Sequence, residues 1–121
     1  MARKFDAATL NALRDMKEVR IRPGNSTKRG VIIWIVVAGQ DAFVRSVKGP
    51  NGKWYKTSAA QKEATLEIGD RLIPVTVHPV ADKAAIDAVN AEYLRKYASS
   101  PYAQSIVRPE TLPTTLRLEP K

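Results

Sequence analysis

Val31-Ile32-Ile33-Trp34-Ile35-Val36-Val37 is the most apolar run of this chain, and six of its seven residues are β-branched. Such side chains are stiff at χ1 and pack well on a pleated surface, so the run predicts a strand buried on both faces. Gly39-Gln40-Asp41 supplies a turn, and Ala42-Phe43-Val44-Arg45-Ser46-Val47-Lys48 returns as the second arm of a hairpin. Neither face of that arm is uniformly apolar. Phe43 and Val47 flank Arg45 on one side, and Val44 shares the other with Ser46 and Lys48. A strand with one face in water sorts its residues better, so a polar group here is expected to face a pocket or an interface.

The same region concentrates the charge. Between Val19 and Lys56 lie Arg20, Arg22, Lys28, Arg29, Arg45, Lys48, Lys53 and Lys56, opposed only by Asp41. That segment accounts for nearly all of the formal net charge of +8. Charge interleaved with core-forming strands lies near a fixed surface, and such a surface attracts phosphate, carboxylate or nucleic acid.

Outward from the hairpin, Phe5 to Met16 reads as an amphipathic helix, with Asp6 as its cap and Phe5 stapled to Leu10. Val19 to Arg22 alternates as a strand, and Pro23-Gly24-Asn25-Ser26 is turn chemistry. Gly49-Pro50-Asn51-Gly52 makes a tight loop leading to Lys53-Trp54-Tyr55-Lys56, and Thr57 to Lys62 forms a short helix or a connection. Ala64 to Ile68 and Arg71 to His78 suit two strands around Gly69-Asp70. Pro74 places the second of these at an edge or a bulge. Asp82 to Ala98 reads as a helix with Ile86, Val89, Tyr93, Leu94 and Tyr97 in one stripe and Glu92 paired to Lys96 on the surface. Leu112 to Leu118 closes the sheet. About six short strands with two peripheral helices predict a mainly β fold, a small barrel with helical decoration; an open α+β sandwich is the other arrangement.

Composition excludes several chemistries. With no cysteine there is no disulfide, thiolate metal site or cysteine nucleophile. The longest apolar run is far short of the ~20 residues that cross a bilayer, and the start of the chain turns polar too soon for a signal peptide. A cytoplasmic chain folding as one domain over residues 1–121 is the expectation. His78 is the only histidine, with no Asp or Glu beside it in sequence, so neither a metal site nor a catalytic dyad is legible, and no catalytic residue is assigned.

Ile33-Trp34-Ile35-Val36, Phe43-Val44-Arg45-Ser46 and the Gly49 to Tyr55 loop resemble a bacterial family known as domain of unknown function 2255. Glu92-Tyr93-Leu94-Arg95-Lys96-Tyr97 and Thr114-Thr115-Leu116-Arg117-Leu118 resemble its closing motifs. More distantly, the layout is similar to the flavin-binding split barrels, among them pyridoxamine-phosphate oxidases and deazaflavin-dependent nitroreductases. That resemblance implies a split β-barrel, a homodimer, and a flavin such as FMN or a deazaflavin whose phosphate is held by basic and hydroxyl groups at the barrel rim. On this chain those groups are Arg45, Ser46, Lys48 and Lys56, with Trp54 stacked on the ring. Deazaflavin enzymes tend to carry an asparagine shortly after this tryptophan, whereas Trp54 is followed by Tyr55-Lys56-Thr57.

Each residue also has a structural reading. Arg45 can form an internal ion pair with Glu92 or Asp87, Trp54 can plug the barrel end, and Trp34 belongs to the core. If the chain is an enzyme, oxidoreduction by a bound cofactor is the expected class. A basic barrel binding nucleic acid through Arg20, Arg22, Lys28, Arg29, Lys53 and Lys56 ranks second, because few aromatics are left for stacking. An inert ligand-binding or assembly module is the third reading.

Overall fold

The computed structural model describes residues 4–121. Its strands are β1 (Val19–Pro23), β2 (Val31–Ile33), β3 (Ile35–Ala38), β4 (Asp41–Val44), β5 (Glu63–Ile68), β6 (Arg71–Pro79) and β7 (Leu116–Pro120). All seven join one antiparallel sheet in the order β2-β1-β5-β6-β7-β4-β3. The outermost strands, β2 and β3, are consecutive in the chain and separated only by Trp34. Ile33 pairs with Val19 of β1, whereas Ile35 pairs with Val44 of β4. The apolar run thus changes partners at one residue, and the sheet curls until its two edges meet there. The result is a nearly closed split barrel.

This corrects the expectation of a single strand from Val31 to Val37 buried on both faces. Ile33, Ile35, Val36 and Val37 are buried, but Val31 and Ile32 are 45% and 53% exposed. The return arm also stops at Val44 rather than Lys48. The Ser46 amide donates to Thr114 Oγ1 at 3.0 Å and its carbonyl accepts from the Gly49 amide at 2.9 Å, so the backbone leaves the ladder.

Alternation along β3 and β4 divides the apolar residues between two cores. Ile35, Val37, Ala42 and Val44 fill the barrel with Leu13, Ile21, Leu66, Val77, Leu116 and others. Val36 and Phe43 point outward and pack with Val89, Tyr93, Tyr97 and Ile106 beneath helix α3 (Lys83–Lys96). Two helix caps follow the sequence reading: Asp6 accepts from the Thr9 amide at 2.7 Å to start α1 (Ala7–Asp15), and Asp82 accepts from Ala85 to start α3. Phe5 and Leu10 are both buried in the barrel core.

Several elements depart from expectation. Lys53 to Lys56 belong to a helix, α2 (Lys53–Gln61), because Trp54 and Tyr55 anchor that turn on the barrel core. Pro74 lies in an interior strand. Its carbonyl faces Lys121, beyond the last β6–β7 pair at Val75 and Pro120, so its missing amide removes no ladder bond there. Leu112–Thr114 is a 3-10 turn, and the closing strand begins only at Leu116. On α3, Leu94 is exposed, and Glu92 pairs with Arg95 rather than Lys96. Lys96 is buried and donates to the carbonyls of Leu13 and Ile35 at 2.7 and 2.6 Å, tying the end of α1 to β3. Among the described residues, no helix is long and apolar enough to cross a membrane.

Candidate functional site

The strand break at Trp34 opens a groove on the outside of the barrel. Trp34 is half-buried, its ring stacked on Tyr97 with centroids 4.1 Å apart and planes 5° apart. Beside it lies a cavity of about 470 Å³ walled by Ile32, Ile33, Val47, Trp54, Tyr102 and Ile106, with Glu18, Arg45 and Ser105 also in its lining. A second cavity, about 490 Å³, shares Ile32, Val47 and Trp54 with the first and continues toward Ser46, Lys48, Asn51, Gly52 and Lys53. Each volume falls within the range of small-molecule sites. Together they make a groove with an apolar, aromatic middle and a cationic end.

The structure brings four of the five sequence-predicted residues to this groove. Trp54 lies at its centre, half-buried, with one part packed on the barrel core and another on both cavities. It packs on the core as the plugging role weighed from sequence required, and it also lines both cavities. Ser46 and Lys48 line the cationic end, and Arg45 lines the other cavity. Lys56 is exposed on α2 and lines neither cavity.

Arg45 is 2% exposed, and its donors are engaged by the protein itself. Its Nε donates to Thr115 Oγ1 at 2.8 Å, and its terminal nitrogens reach Asn90 Oδ1 and the carbonyls of Ile86 and Ile106. The guanidinium also stands 5.5 Å from the Tyr93 ring centre. Neither Asp87 nor Glu92 is its partner; they pair with Lys83 and Arg95. Burial of the charge draws the Arg45 pKa below its ordinary value, with a smaller opposing contribution from Tyr93.

Ser46 differs. Its backbone is bonded, yet its hydroxyl, on a residue 1% exposed, has no hydrogen-bond partner. That hydroxyl lies against Gly52, where a Cβ would come within 2.2 Å of it. Gly52 has an ordinary φ of −61°, so a side chain there is opposed by space, not by backbone conformation.

The rest of the basic patch is partly consumed. Arg22 pairs with Glu67 at 2.9 Å, and Arg20 donates to the Gly30 carbonyl at 2.9 Å. Lys28 and Arg29 are exposed. His78 does have an acid after all: Glu119 of β7, whose Oε1 lies 3.0 Å from His78 Nε2 across the sheet. His78 faces Arg117 in register, so Glu119 is its diagonal neighbour, a proximity set by strand pairing. The pair lines neither cavity of the groove. Sequence reasoning missed Ile32, Val47 and Tyr102 as groove residues. Val47 sat in a presumed strand, and nothing local marks Tyr102 as returning to the break. No cluster of metal ligands occurs among the described residues.

A family model described as "Uncharacterized protein conserved in bacteria (DUF2255)" matches residues 8–118. The chain belongs to that family. No curated protein matches the sequence. Among solved structures, this family member is similar to a candidate pyridoxamine 5'-phosphate oxidase from Listeria innocua, with a TM-score of 0.59 at 8% identity over 94% of this chain and 90% of the other. It is also similar to a FAD-binding protein from Mesorhizobium loti, with a TM-score of 0.51 at 10% identity over 99% of this chain and 91% of the other. At such identities the likeness establishes the split-barrel fold of this family member and not its chemistry.

Proposed function

We propose that this protein binds a flavin-class ligand, an aromatic ring system with an anionic tail, in the groove at the strand break. The observation that carries the reading is that the two cavities adjoin, sharing Ile32, Val47 and Trp54 in their walls, with apolar walls in one and Lys48 and Lys53 lining the other. The residues present fit such a group. Trp54, Ile32 and Val47 offer flat apolar surface for a ring, and the lysine end offers charge for a phosphate. A bound flavin supplies hydride and electron transfer, which makes oxidoreduction the reaction class. The chain's own part is to hold the ring against Trp54 and to keep water from it with Val47 and Tyr102.

FMN, followed by quenching of its fluorescence, is expected to bind the purified protein. Trp54→Ala, checked for folding by circular dichroism, is expected to weaken it roughly tenfold through lost aromatic contact. Equal affinity in parent and variant, or no binding of FMN or a deazaflavin, overturns the reading.

The functional form in this proposal is a homodimer. Val31, Ile32, Val47 and Tyr102 are 45–70% exposed and all line the groove, which leaves the ligand with one open side. A second copy laid over that face covers both the apolar side chains and the ring. Sedimentation at micromolar concentration is expected to give twice the chain mass, and Val47→Asp is expected to shift it to monomer. A parent that remains monomeric across that range refutes the dimer.

Nucleic acid is the poorer fit. Of the basic residues that would serve it, Arg22 is paired with Glu67 and Arg20 is bonded to the Gly30 carbonyl, which leaves fewer phosphate contacts.

A further inference from the structure

The chain passes from α1 into β1 through Met16, Lys17 and Glu18, and Glu18 borders two cavities. One is the aromatic cavity beside Trp34; the other, of about 450 Å³, also borders Arg20, Arg29 and Glu67. Lys17 and Arg20 flank Glu18 in sequence, yet both are turned to backbone oxygens. Lys17 Nζ donates to the Lys96 carbonyl, and Arg20 donates to the Gly30 carbonyl. Glu67 is bonded to Arg22 and to the Gly30 amide. Glu18 has no hydrogen bond or ion pair among the described residues.

An exposed carboxylate is satisfied by water, so its freedom alone marks nothing. Its surroundings do. Among the described residues, Glu18 is the one carboxylate lining the aromatic cavity, where Trp34, Trp54 and Tyr102 arrive from three separate parts of the chain. The other polar members of that lining are engaged by the protein. Arg45 donates to Thr115, Asn90, Ile86 and Ile106, and the Ser105 hydroxyl donates to the Tyr102 carbonyl at 2.6 Å. A ligand therefore meets aromatic and aliphatic surface and a single free negative charge. Aromatic rings and a carboxylate together attract an organic cation.

The apolar walls choose between kinds of cation. A primary ammonium carries three N–H donors, and Glu18 alone leaves some of them unmet in such a lining. A trimethylammonium group has no donor to satisfy, and its methyl shell suits apolar walls.

We infer that Glu18, Trp34 and Tyr102 form a subsite for a trimethylammonium group at the aromatic end of the groove. The charge of Arg45, in the same lining, opposes any cation there, so the Glu18 carboxylate decides whether one is held. Glu18, Trp34 and Tyr102 border the first cavity and not the second, while Trp54 lines both. Lys48 and Lys53, assigned to the flavin tail, line only the second of these two. The inference names a second ligand for the groove. It rests on the flavin-class reading for the ring against Trp54, but not for the ammonium itself.

Choline is titrated into ¹⁵N-labelled protein at constant ionic strength, beside ethanolamine and the neutral alcohol in which a tert-butyl group replaces trimethylammonium. Choline is expected to shift the Glu18 amide and the indole N–H signals of Trp34 and Trp54, and to bind roughly tenfold tighter than either comparison. Glu18→Gln is expected to abolish that preference and leave the melting temperature level, since the carboxylate has no partner to lose. Tyr102, 70% exposed, supplies a second variant. Tyr102→Leu keeps an apolar side chain, and it is expected to weaken choline several-fold while leaving the tert-butyl alcohol level.

Equal binding of choline and its neutral isostere, no choline response in the parent, or a preference that survives Glu18→Gln overturns the subsite. FMN titrated into the parent reports separately on the flavin reading. FMN binding without choline selectivity keeps the ring groove and removes the subsite. Choline selectivity without FMN binding keeps the subsite and removes the flavin reading.

Discussion

Arg45→Ala is expected to destabilise the protein by about 3–4 kcal/mol, the largest effect of any single groove substitution. The guanidinium bridges Thr115 ahead of β7, Asn90 and Ile86 of α3, and the Ile106 carbonyl of the turn that follows α3. Truncation leaves these acceptors buried beside an empty space the size of an arginine stem. Its charge has no carboxylate partner among the described residues, so the loss comes from packing and unsatisfied acceptors and not from a stranded counter-charge. Arg45→Met keeps the packing of the stem and removes the costly charge, and is expected to lose less than half as much. Urea unfolding measures both, read as a lower midpoint at unchanged slope. A loss below about 1 kcal/mol for alanine would show that Arg45 is not part of the scaffold. FMN binding by the methionine variant then reports whether Arg45 also serves the ligand.

The second large effect is a rise in stability with alkaline pH, traced to Lys96. Burial, reinforced by Lys17 and Arg95 and opposed by Asp15 and Glu92, draws its pKa down to about 8 from 10.5. Because the folded pKa lies below the unfolded one, the unfolded chain binds the extra proton between those values, and stability rises with pH in that window. Below pH 8 the cost of holding a buried ammonium is fully present. Above pH 10 the tyrosines act in the opposite sense. Burial raises Tyr97 to about 12 and Tyr93 further, so unfolding releases their protons and stability falls again. The net expectation is a gain of about 2 kcal/mol between roughly pH 7.5 and pH 10, followed by decline. Lys96→Met is expected to flatten the rise while lowering stability at alkaline pH, because the Leu13 and Ile35 carbonyls lose their donor. A parent whose denaturation midpoint is level across that window contradicts the assignment.

Periodicity and local chemistry carry much of this fold. The β-branched run, the Gly39 turn and the return through Phe43 and Val44 specify a hairpin, because side-chain stiffness and turn geometry are local properties. Asp6 and Asp82 specify helix starts for the same reason. The concentration of basic residues between Val19 and Lys56, and the likeness of the motifs around Trp34 and Trp54 to their family, are also written in the residues alone.

Tertiary structure decided what those local signals could not. That Trp34 divides one apolar run between two pairings depends on β1 and β4, which meet it from opposite ends of the sheet order. Trp54 and Tyr55 become helical because the barrel core receives them, and local propensity at Gly52-Lys53 gives no cap to announce it. Lys96 reads as a surface partner of Glu92 by spacing, yet the nearby end of α1 and the β3 carbonyl draw its ammonium inward. His78 and Glu119, 41 residues apart, meet only through the β6–β7 register. The groove itself unites Ile32, Val47, Trp54 and Tyr102 from four separate parts of the chain. Residue type and spacing report what one segment prefers; closure of the barrel determines which segments face one another, and a binding site is made of such encounters.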